Sequence, residues 1–169
     1  DRPEALSVYE YSGSTPENVG PFAQNIPDIL YQNKEKLDTR LNYWLKEIGI
    51  NFEVKVKKNI SNDSFEVKIW DKGREDTKKK NKKVIINFKE AGTGVKSILP
   101  IILNSITTNK TLLTIQEPER SLHPKFQIKL ADMFVEMSRT RENSFFIETH
   151  SEYLVYRFMK LVRDGRISK

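Results

Sequence analysis

The sequence contains no cysteine and only two histidines, His123 and His150. The first absence excludes disulfides, thiolate metal sites and cysteine nucleophiles, and the second leaves a zinc site without a third partner. Long apolar runs are missing too. None approaches the ~20 residues that cross a bilayer, and Asp1-Arg2-Pro3-Glu4 does not begin a signal-peptide core. The expectation is a soluble, cytoplasmic protein with no membrane partner. Any chemistry falls to carboxylates, the two imidazoles, hydroxyls, amides or the backbone. What is present suffices for a packed core: 169 residues, about one domain in length, of which 37% are hydrophobic and 10% aromatic. That composition excludes a disordered chain.

The net charge of +6 is concentrated in one place. Between Lys72 and Lys83 stand seven bases against two acids, which accounts for five of the six positive charges. A nucleic-acid-binding domain usually assembles its basic face from several elements and interleaves aromatics for base stacking, and this run has none. It reads as a solvated loop between strands. If DNA is a partner, Lys78, Lys79, Lys80, Lys82 and Lys83 are where it would be met.

Residues 1–25 mix Gly13, Gly20, Pro3, Pro16 and Pro21 with polar residues and read as a loop-rich start. From Lys34, the positions Leu37, Leu41, Trp44, Leu45 and Ile48 recur at helical spacing, and Gly49 follows as a stop. Phe52, Val54 and Val56, then Phe65, Val67 and Ile69, alternate with polar neighbours around the turn residues 59–63, which predicts an antiparallel hairpin. A further strand is expected over Val84–Phe88. The second half changes character. An apolar helix over Ser97–Ile106, a strand at Leu112–Ile115, an amphipathic helix over Pro124–Arg139, a strand at Ser144–Glu148 and a helix capped by Ser151 and stopped by Gly165 follow in turn. Strands without wet alternation, separated by helices, predict an α/β fold with a parallel sheet covered by helices.

In such a sheet, ligands gather outside the carboxyl ends of the strands. Gln116, Glu117 and Glu119 follow one strand; Glu148, Thr149, His150 and Ser151 follow the next. Both groups should face one crevice. Upstream, Ala91-Gly92-Thr93-Gly94-Val95-Lys96-Ser97 approaches a P-loop, but Val95 stands where that motif needs glycine and the glycine spacing is one residue short. What survives is a Gly-rich turn whose amides could face an anion. A self-contained P-loop protein using Lys96 would have to bind ATP with this chain alone.

Taken in order, the Gly-rich turn, Gln116-Glu117-Pro118-Glu119, Ser121-Leu122-His123-Pro124 and Glu148-Thr149-His150-Ser151 resemble the ABC-type ATPases of the SMC, RecF and OLD class. The chain looks closest to a bacterial family of AAA/ABC-like ATPases with an uncharacterised C-terminal region. Gly13-Ser14-Thr15-Pro16 and Val19-Gly20-Pro21 extend the match over most of the chain. The resemblance implies a P-loop NTPase fold of ABC-ATPase head type, of which this is the C-terminal half. Residues 1–90 would form the signature-side subdomain and residues 91–169 the signature turn, Walker B, D-loop and switch histidine.

It also implies roles. Glu117 would be the general base or water-orienting carboxylate, and His150 would contact the γ-phosphate. Gly92, Thr93, Gly94, Val95 and Lys96 would press on the ATP of a second subunit, with His123 across the dimer. Gln116 would stand at the magnesium position, so that ATP, Mg2+ and a second copy of the subunit are the expected partners. Four features depart from the family, one being Lys96-Ser97 in place of a common Ser-Gln pair after the signature glycines. Gln116 is a neutral amide where an acid usually holds magnesium; Ser121 replaces a frequent histidine; and no Gly-Lys-Ser/Thr P-loop occurs in the sequence. Simpler roles are available for single residues: His150 as a helix cap, Glu117 as a first-turn acid and His123 as part of a helix start before Pro124. The expected whole is part of an ATPase acting at a dimer interface in DNA transactions or phage defence; the alternative is a non-catalytic scaffold of the same fold that binds nucleic acid or protein.

Overall fold

The computed structural model of the chain describes residues 7–10, 16–17, 20, 25–50, 52–59, 64–75, 83–86 and 93–167. The first ninety residues contribute strands β1 (Ser7–Glu10), β2 (Phe52–Asn59), β3 (Ser64–Glu75) and β4 (Lys83–Ile86), with helices α1 (Ile26–Gln32) and α2 (Lys34–Glu47). β2 and β3 form the expected hairpin, Phe52 opposite Asp71 through to Asn59 opposite Ser64. β3 is the shared strand. Its other edge pairs antiparallel with β1 at Ser64–Val67 and with β4 from Ile69 to Glu75.

Two expectations for this half need correction. Residues 1–25 are not irregular throughout, because β1 pairs with β3, and α1 follows directly. The lysine-rich run is a loop only in part. β3 continues through Lys72 and Arg74 to Glu75, and the ladder resumes at Glu75 opposite Lys83 after an irregularity beyond Asp71. Pairing against an existing strand overrides the polar composition of this stretch. Lys78, Lys79, Lys80 and Lys82 lie outside the described residues, while Lys83 is on β4. Of the expected strand at Val84–Phe88, residues to Ile86 are in β4, and Asn87 and Phe88 lie outside the described residues.

α2 and its C-cap bury Leu41, Trp44, Leu45 and Ile48 of the apolar face read from the sequence, while the Leu37 side chain lies outside the described residues. α2 is tied to β2 by Asn42, whose side chain donates to the Val54 carbonyl at 3.1 Å and accepts from the Val54 amide at 2.8 Å. The helix ends on Gly49 at φ +75°, with the Gly49 amide donating to the Lys46 carbonyl and the Ile50 amide to the Leu45 carbonyl. That bonding closes the last turn with a left-handed residue, which glycine adopts without a Cβ penalty. The Phe126 ring lies where a Cβ on Gly49 would be.

The second half runs α3 (Thr93–Thr107), β5 (Leu112–Gln116), α4 (Pro124–Arg141), β6 (Ser144–Glu148) and α5 (Glu152–Arg163). α3 begins four residues before the apolar run, so Pro100 sits inside the helix and withdraws one backbone donor. Its residues Ile98, Leu99, Ile102, Leu103 and Ile106 are buried at the centre of one core, together with residues of α1, α2, α4 and α5 and with Val54 of β2. At its C-terminal end, the Ser105, Thr107 and Thr108 hydroxyls each donate to the carbonyl four residues back at 2.7 Å. Each adds a second bond to a carbonyl within reach of the helix ladder; that of Asn104 also accepts from the Thr108 amide at 3.1 Å. The buried Asn143 amide joins this end to β5: its nitrogen donates to the Ser105 and Thr108 carbonyls and the Thr108 hydroxyl, and its oxygen accepts from the Thr111 amide.

β5 and β6 pair in parallel, Leu112 opposite Ser144 through Gln116 opposite Glu148. Among the described residues, helices cover one face only. Ile115, Phe145 and Ile147 pack on the core, whereas Leu112 is 67% and Phe146 66% exposed on the other face. Apolar residues on both sides of these strands read as two-sided burial, and the described residues supply the cover for one side. No helix among the described residues is long and apolar enough to cross a membrane.

Candidate functional site

The crevice forms because β5 and β6 end side by side. The ladder continues one step past β5, the Glu117 amide donating to the Glu148 carbonyl at 2.8 Å, and then the chain turns sharply. Glu117 adopts φ +46° and Ser121 φ +65°. Two successive turns occupy the backbone between them, Arg120 amide to Glu117 carbonyl at 3.0 Å and Leu122 amide to Glu119 carbonyl at 2.9 Å. Pro118, between the two acids, is buried. Glu117 is therefore not a first-turn helix acid, since α4 begins only at Pro124.

After β6, the loop 149–151 turns on a bond from the Ser151 amide to the Thr149 hydroxyl at 3.0 Å. Ser151 caps α5, its side chain accepting from the Leu154 amide at 3.1 Å. That leaves His150 free of the capping role. Its side chain is 79% exposed, and its Nε2 lies 3.7 Å from Oε1 of Glu117, whose side chain is 39% exposed. A carboxylate and an imidazole at that separation, both open to solvent at the mouth of a parallel sheet, can orient a water and meet a phosphate from the same side.

The remaining expected site residues divide. Gln116 ends β5 opposite Glu148 and is exposed at the strand terminus. His123 is the N-cap of α4, its Nδ1 accepting from the Lys125 amide at 3.3 Å, with the Phe126 ring edge-on at 6.2 Å. That helix-start role occupies one ring nitrogen. Thr93, Gly94, Val95 and Lys96 form the first turn of α3. The Val95 side chain is buried in the core, so only its backbone remains for a ligand. Gly92 lies outside the described residues.

Two groups with a place at the site had no role from sequence alone. Glu119 Oε1 accepts from the His150 amide at 2.9 Å. Gln127 of α4 donates to the Leu122 carbonyl at 3.0 Å and accepts from the Ser151 hydroxyl. The signal for Glu119 was its position in Gln116-Glu117-Pro118-Glu119; nothing in the pattern pointed to Gln127. Among the described residues, no cluster of three or more Asp, Glu or His side chains could hold a metal. Magnesium takes few protein ligands when phosphates and waters complete its shell; Gln116, exposed at the end of β5, offers one neutral amide oxygen.

Residues 8–155 match the family described as AAA ATPase domain. No curated protein matches. Similar solved structures include an Smc head bound to the C-winged helix domain of ScpA, at TM-score 0.56 and 11% identity over 86% of this chain and 45% of that one. A second, from work on ATP-driven dimerization and DNA-stimulated activation of SMC ATPases, aligns at TM-score 0.53 and 10% identity over 85% of this chain and 99% of that one. A third is an Smc head with an extended coiled coil bound to the C-terminal domain of ScpA, derived from Pyrococcus furiosus, at TM-score 0.56 and 10% identity over 79% and 33%. The shared feature is the SMC-head P-loop NTPase fold, and the chain spans about 45% of the first of these structures.

Proposed function

Because this chain belongs to the AAA ATPase domain family, we propose that it is the C-terminal part of an ATP-hydrolysing head that works as a dimer, with the P-loop supplied by another part of the protein. The observation that carries this reading is the convergence of Glu117 and His150, 3.7 Å apart at the ends of two parallel strands. Glu117 orients the attacking water and takes up its proton; His150 meets the γ-phosphate. The first turn of α3, with Thr93, Gly94, Lys96 and the Val95 amide, faces the ATP of the second subunit. Its helix N-terminus is suited to an anion. Gln116 would be the protein ligand for Mg2+, which when bound neutralises phosphate charge as the bond to the leaving group breaks.

The open face of the β5–β6 sheet supports the partial-head reading. Leu112 and Phe146 stand exposed there, and the sequence contains no Gly-Lys-Ser/Thr. Further elements of the same head would bury that face. DNA coupling rests on the lysine run and on the DNA-stimulated activation named for one SMC neighbour.

The test is ATP turnover by the full-length protein carrying Glu117→Gln or His150→Ala. Each should lower kcat by about 10²-fold or more. Unchanged hydrolysis in both overturns the assigned roles. A full-length protein that binds no nucleotide would instead favour the non-catalytic scaffold.

A further inference from the structure

Glu119 sits on the loop that carries Glu117, and its side chain reaches the loop that carries His150. One of its carboxyl oxygens accepts from the His150 amide at 2.9 Å, while the other is buried with no hydrogen-bond partner among the described residues. A buried polar atom without a partner costs about 1–3 kcal/mol. Two non-glycine residues near it, Glu117 and Ser121, are in the left-handed region, and each such residue adds a further cost.

What the arrangement does achieve is local. The start of α5 is held independently of Glu119, by the Ser151 hydroxyl to Gln127, by Gln127 to the Leu122 carbonyl and by the Leu154 amide to Ser151. The ladder bond from the Glu117 amide to the Glu148 carbonyl fixes the strand ends. Between these anchors, the contact from Glu119 fixes the backbone of His150, and with it the approach of the imidazole to Glu117.

We propose that Glu119 is a positioning residue, holding the His150 backbone so that its imidazole and the Glu117 carboxylate address one phosphate and one water together. This rests on the ATPase reading above and goes beyond it by assigning the residue that keeps the pair in register. A misplacement of about 1 Å can cost on the order of a hundredfold in rate, so a residue that touches no substrate can still govern turnover.

The experiment compares Glu119→Ala with Glu119→Gln, which keeps an acceptor oxygen for the His150 amide, in the full-length protein. Three quantities are read: amide exchange at His150, kcat and KM for ATP, and the unfolding midpoint. Glu119→Ala should speed His150 amide exchange and lower kcat by about tenfold to a hundredfold, with KM changed by less than about threefold and the unfolding midpoint unchanged or raised. Glu119→Gln should restore most of both losses. The proposal is overturned if exchange at His150 is the same in Glu119→Ala as in the unmodified protein, if exchange speeds but kcat does not fall, or if the loss of kcat follows a lowered unfolding midpoint. Should the unmodified protein hydrolyse no ATP, the ATPase reading fails first. His150 exchange would then still report whether the tie exists, which separates the two failures.

Discussion

Replacing Gly49 by alanine tests how the antiparallel half is locked to the half that carries the site. Gly49 ends α2 at φ +75°, a region that costs a residue with a Cβ about 1–2 kcal/mol. The added methyl would also fall on the ring of Phe126, in the first turn of α4, whose amide bonds to the His123 carbonyl at 2.8 Å. Forcing that partly buried ring aside is an overpacking cost of about 1–3 kcal/mol. The two together predict about 2–5 kcal/mol. Gly165 provides the control: it ends α5 at φ +69° with the same bonding pattern, but nothing lies within 4 Å of the position its Cβ would take. Gly165→Ala should therefore cost only the backbone part, about 1 kcal/mol. Urea unfolding midpoints at constant m-value measure both. Phe126→Leu introduced with Gly49→Ala should recover part of the loss, which a double-mutant cycle detects. If Gly49→Ala costs no more than Gly165→Ala, the close seat of Phe126 on the end of α2 is refuted.

Other outcomes follow from the same structure. Asn143→Ala removes one buried amide and strands the Thr111 amide and the Ser105 and Thr108 carbonyls. It should destabilise by about 2–4 kcal/mol, and a denaturant midpoint within error of the unmodified protein would contradict the hub. Lys129 Nζ lies 2.8 Å from Oε2 of Glu47; the hydrogen bond from Lys129 holds the Glu47 carboxyl below its ordinary range, and the same bond raises the Lys129 amine. The pair's contribution is thus present above the ordinary carboxyl range, lost as pH falls through the lowered Glu47 value, and lost again as pH rises through the raised Lys129 value. Between about pH 7 and about pH 3 the unmodified protein should lose more stability than Glu47→Gln; equal losses would exclude the linkage.

Much of the site was legible in the sequence because its determinants are local. Apolar strands followed directly by Gln116-Glu117 and by Glu148-Thr149-His150 predict both the sheet and the end at which the residues converge, and the Ser151 cap and the Gly49 and Gly165 stops are each set by a few neighbouring residues. β1 escaped notice because four residues become a strand only when β3 is beside them. α1 is short, and Pro27 at its start reads as punctuation as readily as a first helical turn. The lysine-rich run shows the reverse case, a polar stretch drawn into strands by pairing at Glu75 and Lys83. The open face carrying Leu112 and Phe146 was hidden for a different reason. A strand apolar on both sides reads as buried on both sides, whichever part of the protein supplies the second layer. The tie from Glu119 to the His150 amide joins residues 31 apart in sequence, and no local pattern encodes it.

In the proposed function Glu117 and His150 act as one unit on ATP. The most direct measurement is a double-mutant cycle of kcat in the full-length protein, with Glu117→Gln, His150→Ala and the two combined. Residues serving one step lose their effects non-additively, so the double variant should be about as slow as the slower single variant. Fully additive losses, or hydrolysis indifferent to either substitution, would contradict the account.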